Sequence, residues 1–191
     1  MINECCGRVC VAVRRVLDSC QKQISAEGSV VDLSGAPVGV APFTFVGATS
    51  TAVSATVTDL VVTRIDDKPN LARVQCLVTV PLSVTFRDAN GAISAVVGGI
   101  TVAEDIVLHV PCPSKFPFEI VASACCNCPS GTYDATANIV RAVACAEVIT
   151  KVTCEADLMV HTFGYCAPPN AVDFDAEECK RFFNTPLYPQ N

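Results

Sequence analysis

From position 73 to position 87 nearly every second residue is apolar. Val74, Cys76, Val78, Val80, Leu82, Val84 and Phe86 alternate with Arg73, Gln75, Thr79, Ser83 and Arg87. Side chains alternate across a strand, so this pattern predicts a long half-buried strand, bent at Pro81. Asp88-Ala89-Asn90-Gly91 follows, and Asn-Gly between two apolar runs is a strong signal for a hairpin. Residues 92–97, 100–110 and 118–126 read as further strands. Gly98-Gly99 and the pair Pro111 and Pro113 mark the breaks between them. Residues 139–149 and 152–163 are rich in Val, Ile and Thr and are assigned as strands on that propensity. Residues 40–46 and 52–65 complete the set.

The two ends follow a different pattern. Cys6, Cys10, Val13, Leu17, Cys20 and Ile24 recur at intervals of four and three, which predicts an N-terminal helix or arm with one apolar stripe. Ser25 and Gly28 supply its stop. Near the C-terminus, Asp175 and Glu178 make a capping box, and Lys180 and Arg181 sit where a helix dipole favours cations. A short C-terminal helix is expected there. Eight or more strands with turn signals between them suggest a mainly β fold, a single β-sandwich or jelly-roll-like domain. It spans residues 29–166, between an N-terminal cysteine-bearing arm or helix at 1–28 and a tail at 167–191.

Length and composition narrow the class. With 191 residues, about 70% of the unfolded surface can be buried without help from disulfides. The chain is 51% hydrophobic and 17% charged, which excludes disorder. A net charge of -6 and a sequence pI near 4.8 argue against a nucleic-acid partner. No apolar run is long enough for a membrane-spanning helix. Between Glu27 and Asp59 the only charged residue is Asp32. An edge strand normally carries charge to prevent strand addition, so this stretch is either covered within the domain or paired by another chain.

The 13 cysteines are unusual for a chain whose first residues, Met1-Ile2-Asn3-Glu4-Cys5, lack the basic and apolar regions of a secretory signal. Such a chain is made in a reducing cytosol and is then either kept reduced or oxidised later. Adjacent residues of an extended segment point to opposite sides, so Cys5 and Cys6 suit two different partners better than each other. In Cys125-Cys126-Asn127-Cys128, Cys126 and Cys128 share a face and Cys125 points away. Zinc is the rival use, but neither cluster matches paired Cys-x-x-Cys knuckles, and no metal ligand set or cofactor is assigned. Cys76 and Cys145 sit inside strand patterns and read as small buried hydrophobes. His109 and His161 are the only histidines; both lie in strand-like alternation and read as structural. The chain contains no nucleophile elbow, phosphate loop or His-Glu-x-x-His motif, so a non-enzyme is expected.

Several motifs resemble the cysteine-rich spore-surface proteins of clostridia. They are the strand block at 73–105, Cys145-x-x-Val148-Ile149-x-Lys151-Val152, Gly164-Tyr165-Cys166-x-x-Pro169 and the closing Cys179-x-x-Phe182-Phe183-x-x-Pro186-Leu187-Tyr188-Pro189. Ile2-x-x-Cys5-Cys6 is similar to the N-terminal connector of endospore appendage pilins, with Cys20 in the place of the later connector cysteine. The resemblance implies a self-assembling structural subunit of a spore coat, exosporium or appendage, made in the mother cell. Its partners would be copies of itself and other spore-surface proteins. The alternative is a Cys-thiolate metal-binding protein. Inter-subunit disulfides are expected from Cys5, Cys6 and Cys10 to Cys125, Cys126 or Cys128; Cys20, Cys112, Cys154, Cys166 and Cys179 are further disulfide candidates.

Overall fold

A computed structural model describes residues 7–111 and 117–162. The chain divides into two compact units, Arg14–Glu155 and Met1–Val13 with Ala156–Asn191. Every regular element among the described residues is a strand: β1 (Gly7–Leu33), β2 (Thr44–Ser50), β3 (Ser54–Ile65), β4 (Lys68–Arg87), β5 (Ile93–His109), β6 (Glu119–Asp134) and β7 (Ile139–Thr162). The mainly β expectation therefore holds, as one antiparallel sheet. Its neighbours run β2-β4-β3-β6-β7-β1-β5, with two further pairings, β2–β6 and β4–β5.

The alternating segment is β4, and the side chains at its even positions from Val74 to Phe86 are buried. It pairs with β5 from Arg87↔Ile93 to Leu71↔His109 without a break. The hairpin at 88–91 joins them. Its Asp88 carboxylate accepts the backbone N–H groups of Val40 (3.1 Å), Asn90 (2.9 Å) and Ala92 (2.8 Å). These donors, Val40 foremost, outweigh burial and hold the carboxyl below its ordinary pKa. Gly91, at φ 86°, takes the left-handed position of the turn.

Four expectations are corrected. The N-terminal helix is absent, because residues 7–33 form β1. Up to Gly28 the partly buried positions of β1 are Val11 and Val13, then the adjacent Leu17 and Asp18, then Cys20, Lys22, Ile24 and Ala26. An alternation that changes phase between Val13 and Cys20 reproduces the four-three-four spacing of a helix. Gly98-Gly99 does not end a strand; it lies within β5, opposite Leu82 and Pro81. A Cβ on Gly98 would stand 2.8 Å from the Asp32 carbonyl oxygen, so glycine there permits the close approach of β1. The strands expected at 139–149 and 152–163 are one, and the strand expected at 40–46 begins at Thr44. The C-terminal helix expected near 175–183 lies outside the described residues.

Within the Arg14–Glu155 unit the inward side chains of β4 meet those of β6 and β7. Val78, Val80, Leu82, Val84 and Phe86 pack with Ala122, Ala124, Cys126, Cys128, Ala142, Ala144, Ala146 and Val148. Small residues on β6 and β7 pack with large ones on β4, a size complementarity that suits close packing. A second cluster gathers Ala72, Val74, Leu108, Val110, Ile120 and Val152. The uncharged stretch is covered only in part. β2 pairs with β4 along its length and touches β6 at Ala48 and Thr49. β3 pairs with β4 from Thr56 to Ile65 and with β6 at Ser54 and Ala55.

In the other unit the described residues are the first seven of β1 and the last seven of β7. Gly7 and Thr162 lie side by side, with a Cβ on Gly7 falling 4.0 Å from the Thr162 methyl. Val9, Leu158, Met159 and Val160 are exposed.

A thiol cluster on the β6–β7 pair

The antiparallel pairing of β6 with β7 places Cys126 directly opposite Ala146, Cys125 opposite Glu147 and Asn127 opposite Cys145. Strand alternation then sorts the four cysteines between two faces. Cys126 and Cys128 are 5% and 0% exposed, with sulfurs 3.8 Å apart. Cys125 and Cys145 are exposed on the opposite face. The sharing of a face by Cys126 and Cys128, with Cys125 turned away, is as expected. Cys145 is a correction. It occupies the outward parity of β7, whereas Ala142, Ala144, Ala146 and Val148 hold the inward one.

Local features of β6 shape the cluster. The register slips between Asn127 and Ser130, at Cys128-Pro129, where proline cannot donate to the ladder. The Cys126 N–H donates to the Ser50 hydroxyl at 3.3 Å. The hydrogen bond shared with Cys128, and then burial, push the Cys126 thiol well above its ordinary pKa. A thiol held protonated in an apolar core is a poor nucleophile. On the outer face Gln21 of β1 donates to the Glu147 carboxylate.

The remaining cysteines are dispersed. Cys76 is buried as expected, and burial followed by the neighbouring Glu104 raises its pKa. Cys20 and Cys154 are half-buried on β1 and β7. Cys154 lines a small cavity with Arg14, Glu119 and Glu155, where Arg14 pairs with Glu119 at 3.6 Å and Glu155 at 3.1 Å. Cys10 is exposed in the smaller unit. Cys5, Cys6, Cys112, Cys166 and Cys179 lie outside the described residues. Among the described residues no three His, Cys, Asp or Glu side chains are arranged to hold a metal ion. His109 and His161 are both exposed, and the backbone N–H of His109 donates to Asp18 at 2.7 Å.

One polar cluster had a readable signal that the sequence analysis missed. Glu104 lies on the inward parity of β5, with Ile100, Val102, Ile106 and Leu108. It is 3% exposed, opposite Cys76, with the Lys22 ammonium at 3.6 Å. A charge on an apolar parity was visible in the sequence; its partner, 82 residues earlier, was not.

Alkylation of the folded, reduced protein checks the two-faced arrangement. Cys125 and Cys145 should label with a maleimide rapidly, while Cys76, Cys126 and Cys128 stay protected until the protein unfolds. Equal labelling of Cys126 and Cys125 in the native state would contradict it.

Comparison of the chain with protein-family models, with curated proteins and with solved structures finds no match in any of the three.

Proposed function

We propose that this chain is a self-assembling structural subunit, β-sandwich or jelly-roll-like, of a bacterial spore surface layer or appendage, cross-linked through cysteine and without catalytic activity. The observation that carries this reading is the pair of exposed thiols, Cys125 and Cys145, on the outer face of a continuous β-sheet. A strand-built scaffold holds reactive groups in fixed positions, as a repeating covalent lattice requires, and a disulfide must be reduced before it lets go. Exposed Val38, Val53, Ile93 and Val97 add apolar surface of the kind that subunit contacts bury. Much of it falls in or beside the nearly uncharged stretch, where little charge opposes the approach of another strand. In this reading Cys5, Cys6 and Cys10 supply the donor thiols, and Cys125, the exposed member of the β6 cluster, is an acceptor on the next subunit.

Negative-stain electron microscopy of the purified protein tests the assembly. Oxidising conditions at neutral pH should give regular polymers or sheets, and reductant should weaken them. A monodisperse monomer under oxidising conditions would refute the proposal. Antibody labelling of intact spores tests the location, with surface labelling expected.

A further inference from the structure

We propose that Cys125 and Cys145 together form a two-point covalent docking site for an extended, cysteine-bearing segment of a second copy of this chain. The inference rests on the self-assembly reading and adds which thiols receive the partner and what shape the partner has. It brings in Cys145 and excludes the inner pair, Cys126 and Cys128.

Register supplies the first argument. Cys125 and Cys145 flank the directly opposed pair Cys126↔Ala146 on a diagonal across the two strands. Diagonal neighbours in an antiparallel pair lie about 7–8 Å apart, whereas a disulfide needs its Cα atoms within roughly 4.4–6.8 Å. The two thiols therefore do not close on each other without a strand shift, and both stay open to outside partners. Burial supplies the second. Cys126 and Cys128 face the core, so a second chain reaches them only by opening the sheet.

The form of the partner follows from two lengths. Stacked sheets sit about 10 Å apart, too far for a disulfide that spans at most about 6.8 Å between Cα atoms. A second sheet face laid flat on β6 and β7 cannot make the bonds; a single extended segment lying on the surface can. Adjacent cysteines in such a segment splay to opposite sides, so their sulfurs separate by about the diagonal that Cys125 and Cys145 span. Cys5-Cys6 of another copy offers two adjacent cysteines for such a segment. The surface beneath it is polar, with Asn127 and Glu147 filling the other diagonal and Gln21 bonded to Glu147. With hydrogen peroxide as oxidant, each bond takes one hydrogen from each of two thiols, and one peroxide is reduced to two waters.

The test uses the full chain, reduced and then oxidised with stoichiometric hydrogen peroxide, as a mixture of ordinary and 15N-labelled protein. Non-reducing electrophoresis, peptide mapping by mass and electron microscopy are run in parallel on wild type, Cys125→Ser, Cys145→Ser and the double variant. Circular dichroism confirms that each variant is folded. Wild type should give reductant-sensitive multimers with Cys125 and Cys145 peptides joined to the Cys5-Cys6 peptide across isotopes. Each single variant should keep one link, and the double variant should lose covalent multimers to background while still assembling non-covalently. Covalent multimers of the double variant at the wild-type level, or a Cys125–Cys145 bond within one chain, would overturn the docking site alone. A wild type that stays monomeric overturns it together with the assembly reading.

Discussion

Replacing Phe86 by alanine is expected to cost about 3–5 kcal/mol of stability, the range for truncating a fully buried aromatic ring. The side chain is 0% exposed, and its ring is held by two others. The Phe45 centroid lies 6.2 Å away at 75° and the Tyr133 centroid 5.1 Å away at 63°. Phe43 extends the group, edge-on to Tyr133 at 6.4 Å. Such edge-to-face pairs add about 0.5–1.5 kcal/mol beyond the area they bury. The cluster also joins β2 and the far end of β6 to β4, so its loss should loosen the strand that carries Cys125, Cys126 and Cys128. Urea unfolding should show a lower midpoint at unchanged slope. Native-state alkylation of Cys126 and Cys128 should become faster, because opening exposes them more often. Phe86→Leu should restore a good part of the stability, since it refills much of the space. A loss below about 1 kcal/mol, ordinary for surface changes, would show that the ring is not the anchor described.

The parts of this fold that were legible in the sequence are those decided within one strand or one turn. The alternation of β4 names its buried face because each side chain's direction depends only on its own position. The hairpin at 88–91 was readable because Asp88 bonds to donors within a few residues and Gly91 relieves its own backbone. The same local logic separated Cys125 from Cys126 and Cys128. It failed where the backbone changes phase: β1 slips between Val13 and Cys20, and a slipped period of two imitates a period of 3.6 over a few turns. At Gly98 the missing information was a neighbour, Asp32, that only the folded chain brings near. Cys145 was misread for a third reason. Both parities of β7 carry apolar residues, with Val143, Cys145 and Ile149 on one and Ala144, Ala146 and Val148 on the other. Composition could not decide which faced inward; the small residues won because the large side chains of β4 occupy the space opposite.

Removing the Lys22 ammonium should destabilise the protein, and removing its partner as well should undo most of the loss. Glu104 is buried among the inward residues of β5, and its Oε1 atom accepts no hydrogen bond among the described residues. Lys22 lies 3.6 Å from that atom and donates to the Ala103 carbonyl at 3.1 Å. Lys22→Met keeps much of the side-chain volume but leaves a buried carboxylate with no cation. Leaving a buried group unsatisfied costs about 1–3 kcal/mol, more when it is charged. The Lys22 side chain is 43% exposed, so water replaces part of what is lost, and the lower half of that range is expected. Glu104→Leu with Lys22→Met removes both charges and puts an apolar side chain among Ile100, Val102, Ile106 and Leu108. Replacing a buried ion pair with packed apolar groups is often neutral or stabilising, so the double variant should equal or exceed wild type. The double-mutant cycle should yield a coupling of about 0.5–3 kcal/mol. Cys76 reports on the same site, because Glu104 is one of the two influences that raise its pKa, burial being the larger. Taking the carboxylate away should move the thiol part of the way back towards its ordinary value, while burial keeps it slow to alkylate at neutral pH. Strictly additive losses from the two substitutions, measured by urea unfolding at neutral pH, would show that Lys22 and Glu104 do not act as a pair.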